Sequence, residues 1–319
     1  MQQPIIDFIR AHQRLAITSH QRPDGDSIGS ELALFLALKQ LGKTLTVLNS
    51  DPTPEVFGWL PGAEAVHRRD RLSGQWDGIV ILECSSFQRT GLKNLDRYFT
   101  INIDHHPGCP HYADLNWVDP SAAAVGLLVE QLIEGLGLAV TPEIATNLYV
   151  AVLTDTGSFQ HSNTTEESLR AAAGLVARGA DPARISQRIY LSEPIRKLEL
   201  LQRALQTLVV HPGGQIASMQ LSRIDLQETG CTNQHTEGLV HYPLSLQGVR
   251  AAVFAREAAD GSLRVSLRSK GACDVGAAAR SLGGGGHRNA SGVTLQSPFD
   301  QAWPQILRTL QKAVRESDP

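Results

Sequence analysis

Apolar positions in the first third of the chain come in short blocks that hardly alternate with polar ones. Four such runs are "LAITS" (15–19), "TLTVLN" (44–49), "GIVILE" (78–83) and "TINID" (100–104), all rich in Val, Ile and Thr. That pattern predicts strands buried on both faces of a parallel sheet. After the first run, "SIGSELALFLALKQLG" (27–42) sets Ile28, Leu32, Phe35 and Leu36 at helical spacing. Asp26 or Ser27 is the predicted cap of this helix and Gly42 its stop. Strand, loop, helix and strand make a βαβ unit.

From 121 to about 208 the pattern turns mostly helical. The last of these segments, "SEPIRKLELLQRALQTL" (192–208), is charged and amphipathic with no internal breaker, as expected of a connector between domains. Beyond it "QIASMQL" (215–221), "GVRAAVFARE" (248–257) and "SLRVSLRSK" (262–270) alternate more and predict a second sheet. "DVGAAARSL" predicts a helix, "GGGGH" a loop, and 299–316 a closing helix. The expected architecture is α/β. A parallel-sheet domain over 1–191 is joined by a helical linker, 192–208, to a smaller α/β domain over 209–319.

The 319 residues accommodate two domains, and 42% hydrophobic with 19% charged residues is the composition of a globular protein. A formal net charge of −3 argues against a grip on long duplex nucleic acid, which needs a basic excess. Short anionic substrates stay compatible, because bound cations would supply positive charge locally. Cys84, Cys109, Cys231 and Cys273 form no C-x-x-C pair and fit a reducing compartment. The N-terminus lacks the pattern of a signal peptide, and no apolar run approaches a membrane span. The expected location is the cytoplasm, with no membrane partner. The long apolar face of 121–138 would serve equally as core or as a homodimer interface.

Polar residues fall just past the apolar elements. "SHQRPDGDSIGS" after the first run carries His20, Asp24 and Asp26; the third run ends in Glu83; the fourth ends in Asp104, His105 and His106; a later helix ends in "LTDTGSFQHS" with Asp155. Loops beyond the carboxyl ends of parallel strands share one edge of the sheet, where ligands bind. Each piece alone has an ordinary explanation: aspartates capping a helix, histidines at a solvated strand end, a carboxylate in a turn. All four would have to hold together at one edge. Oxygen and imidazole donors without thiolate suit manganese, magnesium or iron better than structural zinc. Two divalent cations would offset the mutual repulsion of the carboxylates and favour in-line phosphoryl displacement by an activated water.

The ordered segments "HQRPDGDSIGS" (20–30), "ECSSFQRTG" (83–91), "DHHP" (104–107) and "TDTGSF" (154–159) resemble the successive motifs of the DHH phosphoesterase superfamily. "VSLRS" (265–269) and "GGGGHRNASG" (283–292) resemble its associated C-terminal substrate-binding domain. The layout is similar to the short-substrate group of bifunctional oligoribonucleases (nanoRNases) and pAp phosphatases. The resemblance implies two metal ions, manganese first, held by His20, Asp24, Asp26, Glu83, His105 and Asp155. It implies that His106 approaches the substrate phosphate and that Asp104 orients a histidine. It also implies that Arg268, Gly284, Gly285, Gly286 and His287 hold the nucleotide end. The second motif departs from the family in having Glu83 and Ser86 where aspartates are usual, so the bridging carboxylate is one methylene longer.

The implied function is hydrolysis of short RNA, pAp or both to nucleoside monophosphates. The alternatives are a phosphodiesterase of cyclic di-AMP or its linear product pApA, and a non-catalytic nucleotide sensor supported only by the Glu83 and Ser86 departures. A dinucleotide-binding Rossmann reading lacks its G-x-G-x-x-G after the first strand.

Overall fold

The structure is a computed structural model that describes residues 2–317. The chain divides into two compact units, one ending at Ser192 and one beginning at Glu193. In the first unit the elements are α1 (Gln2–Ala11), β1 (Arg14–Thr18), α2 (Gly25–Lys39), β2 (Thr44–Asn49), β3 (Val66–Arg68), β4 (Gly78–Leu82), α3 (Phe87–Thr90), β5 (Thr100–Asp104), β6 (Leu115–Val118), α4 (Val125–Gly135), α5 (Pro142–Asp155), α6 (Glu166–Ala177) and α7 (Pro182–Tyr190). The six strands form one parallel sheet in the order β3-β2-β1-β4-β5-β6. The four apolar runs are β1, β2, β4 and β5. Every residue of β4 and β5 is buried, which is why neither alternates. The short edge strands β3 and β6 are additions to the expected sheet; "VHR" and "LNWV" are too brief to carry a period.

The strand order reverses beside β1, whose neighbours are β2 on one side and β4 on the other. Crossovers leaving β1 and β4 run in opposite directions, so their loops diverge and leave a crevice. Helix α2 begins above it. Its cap is Asp24 rather than the expected Asp26 or Ser27: the Asp24 side chain accepts from the Ser27 N–H at 3.0 Å. Asp26 and Ser27 therefore lie inside the first turn, and both are buried.

Helices α2, α4 and α5 pack closely because glycines face the contacts. A Cβ on Gly25 would lie 2.4 Å from Thr154 Oγ1, and one on Gly29 would lie 2.5 Å from the Asn147 carbonyl oxygen. A Cβ on Gly126 of α4 would lie 2.6 Å from the Ala151 Cβ. The start of α2 is thereby drawn against the end of α5, where Asp155 sits.

The second unit comprises α8 (Ile195–Gln206), β7 (Val209–Val210), β8 (Ile216–Leu221), α9 (Arg223–Glu228), α10 (His241–Ser245), β9 (Ala251–Glu257), β10 (Leu263–Ser269), α11 (Val275–Ser281), β11 (Gly285–Gly286), β12 (Ala290–Leu295) and α12 (Phe299–Glu316). Its sheet runs β11-β12-β10-β9-β8-β7, antiparallel except for the β8–β9 pair. Helix α8 buries Leu200 and Ala204 in a core with Met219 and Leu221 of β8 and Phe254 of β9. The predicted glycine loop contains a strand. Gly285 and Gly286 pair with Gly292 and Ser291, which the lack of side chains permits. Among the described residues no helix is long and apolar enough to cross a membrane.

Gly29→Ala tests whether packing or propensity governs α2. Propensity alone favours alanine in a helix by about 1 kcal/mol. The clash with a backbone oxygen reverses the sign, and a loss of about 1–3 kcal/mol is expected by urea denaturation. Gly174→Ala in α6, with nothing within 4 Å of the added carbon, serves as the control and is expected to gain stability.

Candidate metal centre

Three elements of the sheet end in the residues of interest, and two helices complete the ring. His20 lies two residues past β1, Glu83 one residue past β4, and Asp104 closes β5 ahead of His105 and His106. Asp24 and Asp26 come from the start of α2, and Asp155 is the last residue of α5. Donor atoms of His20, Asp24 and Glu83 all lie within 4.8 Å of one another, as do those of Asp26, Glu83, His105 and Asp155. A third group joins Glu83, His105 and His106. Glu83 belongs to all three, the position expected of a bridging carboxylate.

The histidines are oriented by carbonyl and carboxylate oxygens. His20 Nδ1 is 2.7 Å from the Gln21 carbonyl oxygen, and His105 Nδ1 is 2.9 Å from that of Ala122. A carbonyl only accepts, so both Nδ1 atoms carry a proton and the Nε2 atoms are the ones that would face a metal, which would displace any proton there. Both Nε2 atoms face carboxylates. His20 Nε2 is 3.8 Å from Asp24 and 3.3 Å from Glu83, and His105 Nε2 is 3.7 Å from Asp155. A lone pair aimed at a carboxylate is repulsive unless a cation or proton lies between them, so the donor set fits divalent ions. His106 Nδ1 is 2.7 Å from Asp104 Oδ1, which also accepts from the backbone N–H groups of His105 (2.7 Å) and His106 (3.0 Å). Asp104 thus fixes the turn that presents both histidines. Burial raises its carboxyl, but the hydrogen bond and charge of His106 outweigh this and hold it down at about 2.

The other carboxylates are held by neighbours that the sequence did not single out. Asp26 accepts from the N–H groups of Val125 (2.6 Å) and Gly126 (2.9 Å), supplying from α2 the cap that Ala124 cannot give to α4. Ser30 also donates to it at 2.9 Å. Asn163 donates to the Asp155 carboxylate at 3.2 Å and to the Ala123 and Asp155 carbonyls. Ser27, fully buried, donates to Glu83 and sits 2.9 Å from His20 Nε2. Glu83 itself leaves β4 with a left-handed φ of +53°, a strained conformation for a non-glycine residue that turns the longer side chain out of the strand line. Ser86, where the family usually has aspartate, caps α3 by accepting from the Arg89 N–H. Ser27 lies within "HQRPDGDSIGS" and Asn163 just past "LTDTGSFQHS", but a serine after a capping aspartate and an asparagine in a turn both read as local structure.

Electrostatics mark the same place. Burial first, then the charges of Asp24, Asp26 and Asp155, push Glu83 well above the usual carboxylate range. Burial raises Asp26 too, and burial with the charge of Asp26 raises Asp155 to about 7. Burial lowers His105, but Asp26 and Asp155 overcome it and bring it to about 9.

In the second unit the resemblance-implied residues gather at one end of the sheet. Arg268 of β10 is in register with Ala290 of β12, and the His287 N–H donates to the Ala290 carbonyl at 2.7 Å. Arg268 donates to the Leu267 carbonyl at 3.0 Å, and burial lowers its pKa. The glycines have a structural reason as well. A Cβ on Gly284 would lie 2.3 Å from the Gly292 carbonyl oxygen and one on Gly286, 2.6 Å from that of Ala290. Gly283 and Gly285 face open space.

Two outcomes follow from these contacts. Asp155, Glu83 and Asp26 all titrate above their unfolded values, so the stability their protonation gives is full at low pH and is lost as pH rises; for Asp155 that loss runs from about 4 through about 7. The melting temperature in chelator is therefore expected to fall by at least about 5 °C between pH 5 and pH 8, and added divalent metal to restore more at pH 8 than at pH 5. A flat profile in chelator would contradict it. Ser27→Ala is expected to weaken metal affinity roughly tenfold by isothermal titration, and to matter less in a Glu83→Asp background, where the shorter carboxylate no longer meets the hydroxyl.

The chain matches the DHH family, N-terminal domain, over residues 14–152 and the DHHA1 domain over 213–316. It is 36% identical over 304 residues to the bifunctional oligoribonuclease and PAP phosphatase NrnA of Thermus thermophilus, covering 94% of this chain and 89% of that one. It is 28% identical to the protein of the same description from Bacillus subtilis, over the full length of both. Among solved structures, an exopolyphosphatase-related protein of Bacteroides fragilis matches with a TM-score of 0.92 at 25% identity, over 99% of this chain and 97% of that one. RecJ of Thermus thermophilus in complex with Mn2+ shares the fold, with a TM-score of 0.56 at 16% identity over 98% of this chain and 54% of its own. Two domain matches in series and a relative similar along nearly the whole chain carry one conclusion: this protein is a member of the metal-dependent DHH phosphoesterase family, with a DHH domain followed by a DHHA1 domain.

Proposed function

We propose that the chain hydrolyses short oligoribonucleotides and pAp to nucleoside monophosphates, with manganese as its metal. The observation that carries this reading is the shared position of Glu83 in every candidate ligand group, with His106 beside it and held by Asp104. Curated relatives similar over most of the chain are described as oligoribonuclease and PAP phosphatase, which supports the substrate class.

In this reading His20, Asp24 and Glu83 would hold one ion, and Asp26, Glu83, His105 and Asp155 the other. A donor set of carboxylates and imidazoles without sulfur supports manganese. When bound, a pair of such ions supplies Lewis-acid polarisation of the phosphoryl group and a nucleophilic water at neutral pH. The chain's own residues do the rest. Asp104 holds His106 by Nδ1, so Nε2 is the atom offered to a phosphate oxygen, as a hydrogen-bond donor when protonated. Ser27 and Asn163 fix the carboxylates of Glu83 and Asp155 ahead of substrate arrival. Arg268, Gly284, Gly285, Gly286 and His287 take the nucleotide end, with the guanidinium suited to a terminal phosphate.

The test is release of phosphate from pAp and of mononucleotides from RNA of two to five nucleotides, with manganese. Wild type is expected to turn over both. Asp104→Ala/His105→Ala is expected to lose at least about a thousandfold on both while keeping a native circular dichroism spectrum. Turnover of RNA alone would remove the pAp activity, and no turnover of either with metal bound would overturn the reading.

A further inference from the structure

Four arginines of the first unit stand at the same sheet edge as the metal centre and take no part in it. Arg22 follows His20 by two residues, Arg68 ends β3, Arg69 is next, and Arg89 lies in α3. All four are exposed, and none forms an ion pair among the described residues. Nearby Arg71 does, with Asp70 at 3.5 Å.

The loops that carry them are tied together. The Gln21 N–H donates to the Arg89 carbonyl at 2.6 Å, and the Arg69 N–H to the Asn49 carbonyl at 2.9 Å. The Arg22 N–H donates to the Asp51 carboxylate at 2.9 Å, which holds Arg22 in a left-handed backbone conformation (φ +55°). Arg68 Nε donates to the Ser50 carbonyl at 3.2 Å, and the Ser50 hydroxyl to the Thr90 carbonyl at 2.7 Å. The three loops converge on Gly91, where a Cβ would lie 2.5 Å from both Gln21 Nε2 and Ser50 Oγ. At the metal side, Arg89 Nη1 reaches Ser85 Oγ at 3.3 Å, two residues from Glu83.

The parallel register sets the scale. Arg68 pairs with Asn49 of β2, and β2 pairs with β1. Two strand spacings put Arg68 about 10 Å from the β1 end, across the sheet edge. Arg89, Arg22, Arg68 and Arg69 thus form a row that starts beside Glu83 and runs outward to the sheet margin. Four carboxylates would balance two divalent ions, so the loaded centre contributes no net attraction to further phosphates. The excess of positive charge at this edge lies in the arginines, in a chain whose overall charge is −3.

We infer that this row binds the phosphates of single-stranded RNA beyond the one being cleaved, so that it sets the preference for longer over shorter oligonucleotides. Arginine forks pair well with phosphate oxygens, and the track is sequence-independent because it touches only the backbone. The inference rests on the proposed cleavage of short RNA, but its test does not need turnover.

The experiment is fluorescence anisotropy of metal-loaded protein with labelled, cleavage-resistant phosphorothioate RNA of two and of five nucleotides, at 50 and 200 mM KCl. Wild type is expected to prefer the five-mer. Arg68→Gln/Arg69→Gln/Arg89→Gln is expected to reduce that preference about ten- to a hundredfold and to lower the salt slope for the five-mer by about 2, at ~0.7 per phosphate contact. Arg184→Gln/Arg188→Gln on α7 removes two exposed arginines elsewhere and is expected to leave the preference intact. An unchanged preference and slope in the triple variant overturns the track, as does an equal loss in the α7 variant. Failure of wild type to cleave ordinary RNA in the preceding assay overturns the catalytic reading instead.

Discussion

Gathering buried Asp26 and Glu83 with half-buried Asp155 in one place is the demand to which the rest of the first unit answers. Like charges removed from water repel strongly and lose hydration, and a fold tolerates them only by supplying protons, donors or cations. Each carboxylate here has its own support: two backbone N–H groups from α4 and a serine for Asp26, an asparagine for Asp155, a serine for Glu83. The histidines turn their protons away toward oxygens outside the cluster. The donor atoms that face one another across the cluster are of the kind that a divalent cation would bring together. The glycines of α2 and α4 serve the same end, because without their close contacts with α5 the two sides of the ring would stand further apart.

The topology explains why residues so distant in sequence share that place. Parallel strands send their carboxyl ends to one edge, and the reversal of strand order beside β1 opens the edge between β1 and β4. The chain keeps the strand order of a dinucleotide-binding fold but not its glycine-rich turn. Where that fold offers backbone N–H groups to a pyrophosphate, "HQRPDGD" offers carboxylates and an imidazole. Backbone order has stayed while the sign of the charge presented at the crevice has changed, which is a concrete case of function residing in the site rather than in the fold.

Much of this was legible in the sequence, for reasons tied to particular residues. Buried strands advertise themselves as unbroken apolar runs, and Glu83, Asp104 and His105 stand out because they end such runs. The motif order added the pairing of His20 with Asp24, Asp26 and Asp155. Less legible was whatever depends on shape. The cap fell on Asp24 because only from there does a carboxylate reach the Ser27 N–H, a matter of one residue that propensity does not resolve. Strands β3 and β6 owe their existence to neighbours already in the sheet. Ser27 and Asn163 look like ordinary turn residues until the side chains they hold are placed beside them. The glycines near His287 pointed to a ligand, yet Gly284 and Gly286 are also required by the approach of β12.

Strands β4 and β5 are buried at every residue, and they carry Glu83 and the 104–106 turn. Such strands belong to the most slowly opening part of a domain, so Glu83 and the 104–106 turn stand on a foundation that moves little. Donor atoms carried on such a base keep their places relative to one another. Any adjustment of Glu83 or of the 104–106 turn has to come from side-chain rotation, because moving their backbone would disturb strands packed on both faces. The precision of the cluster is thereby set by the packing of the core beneath it.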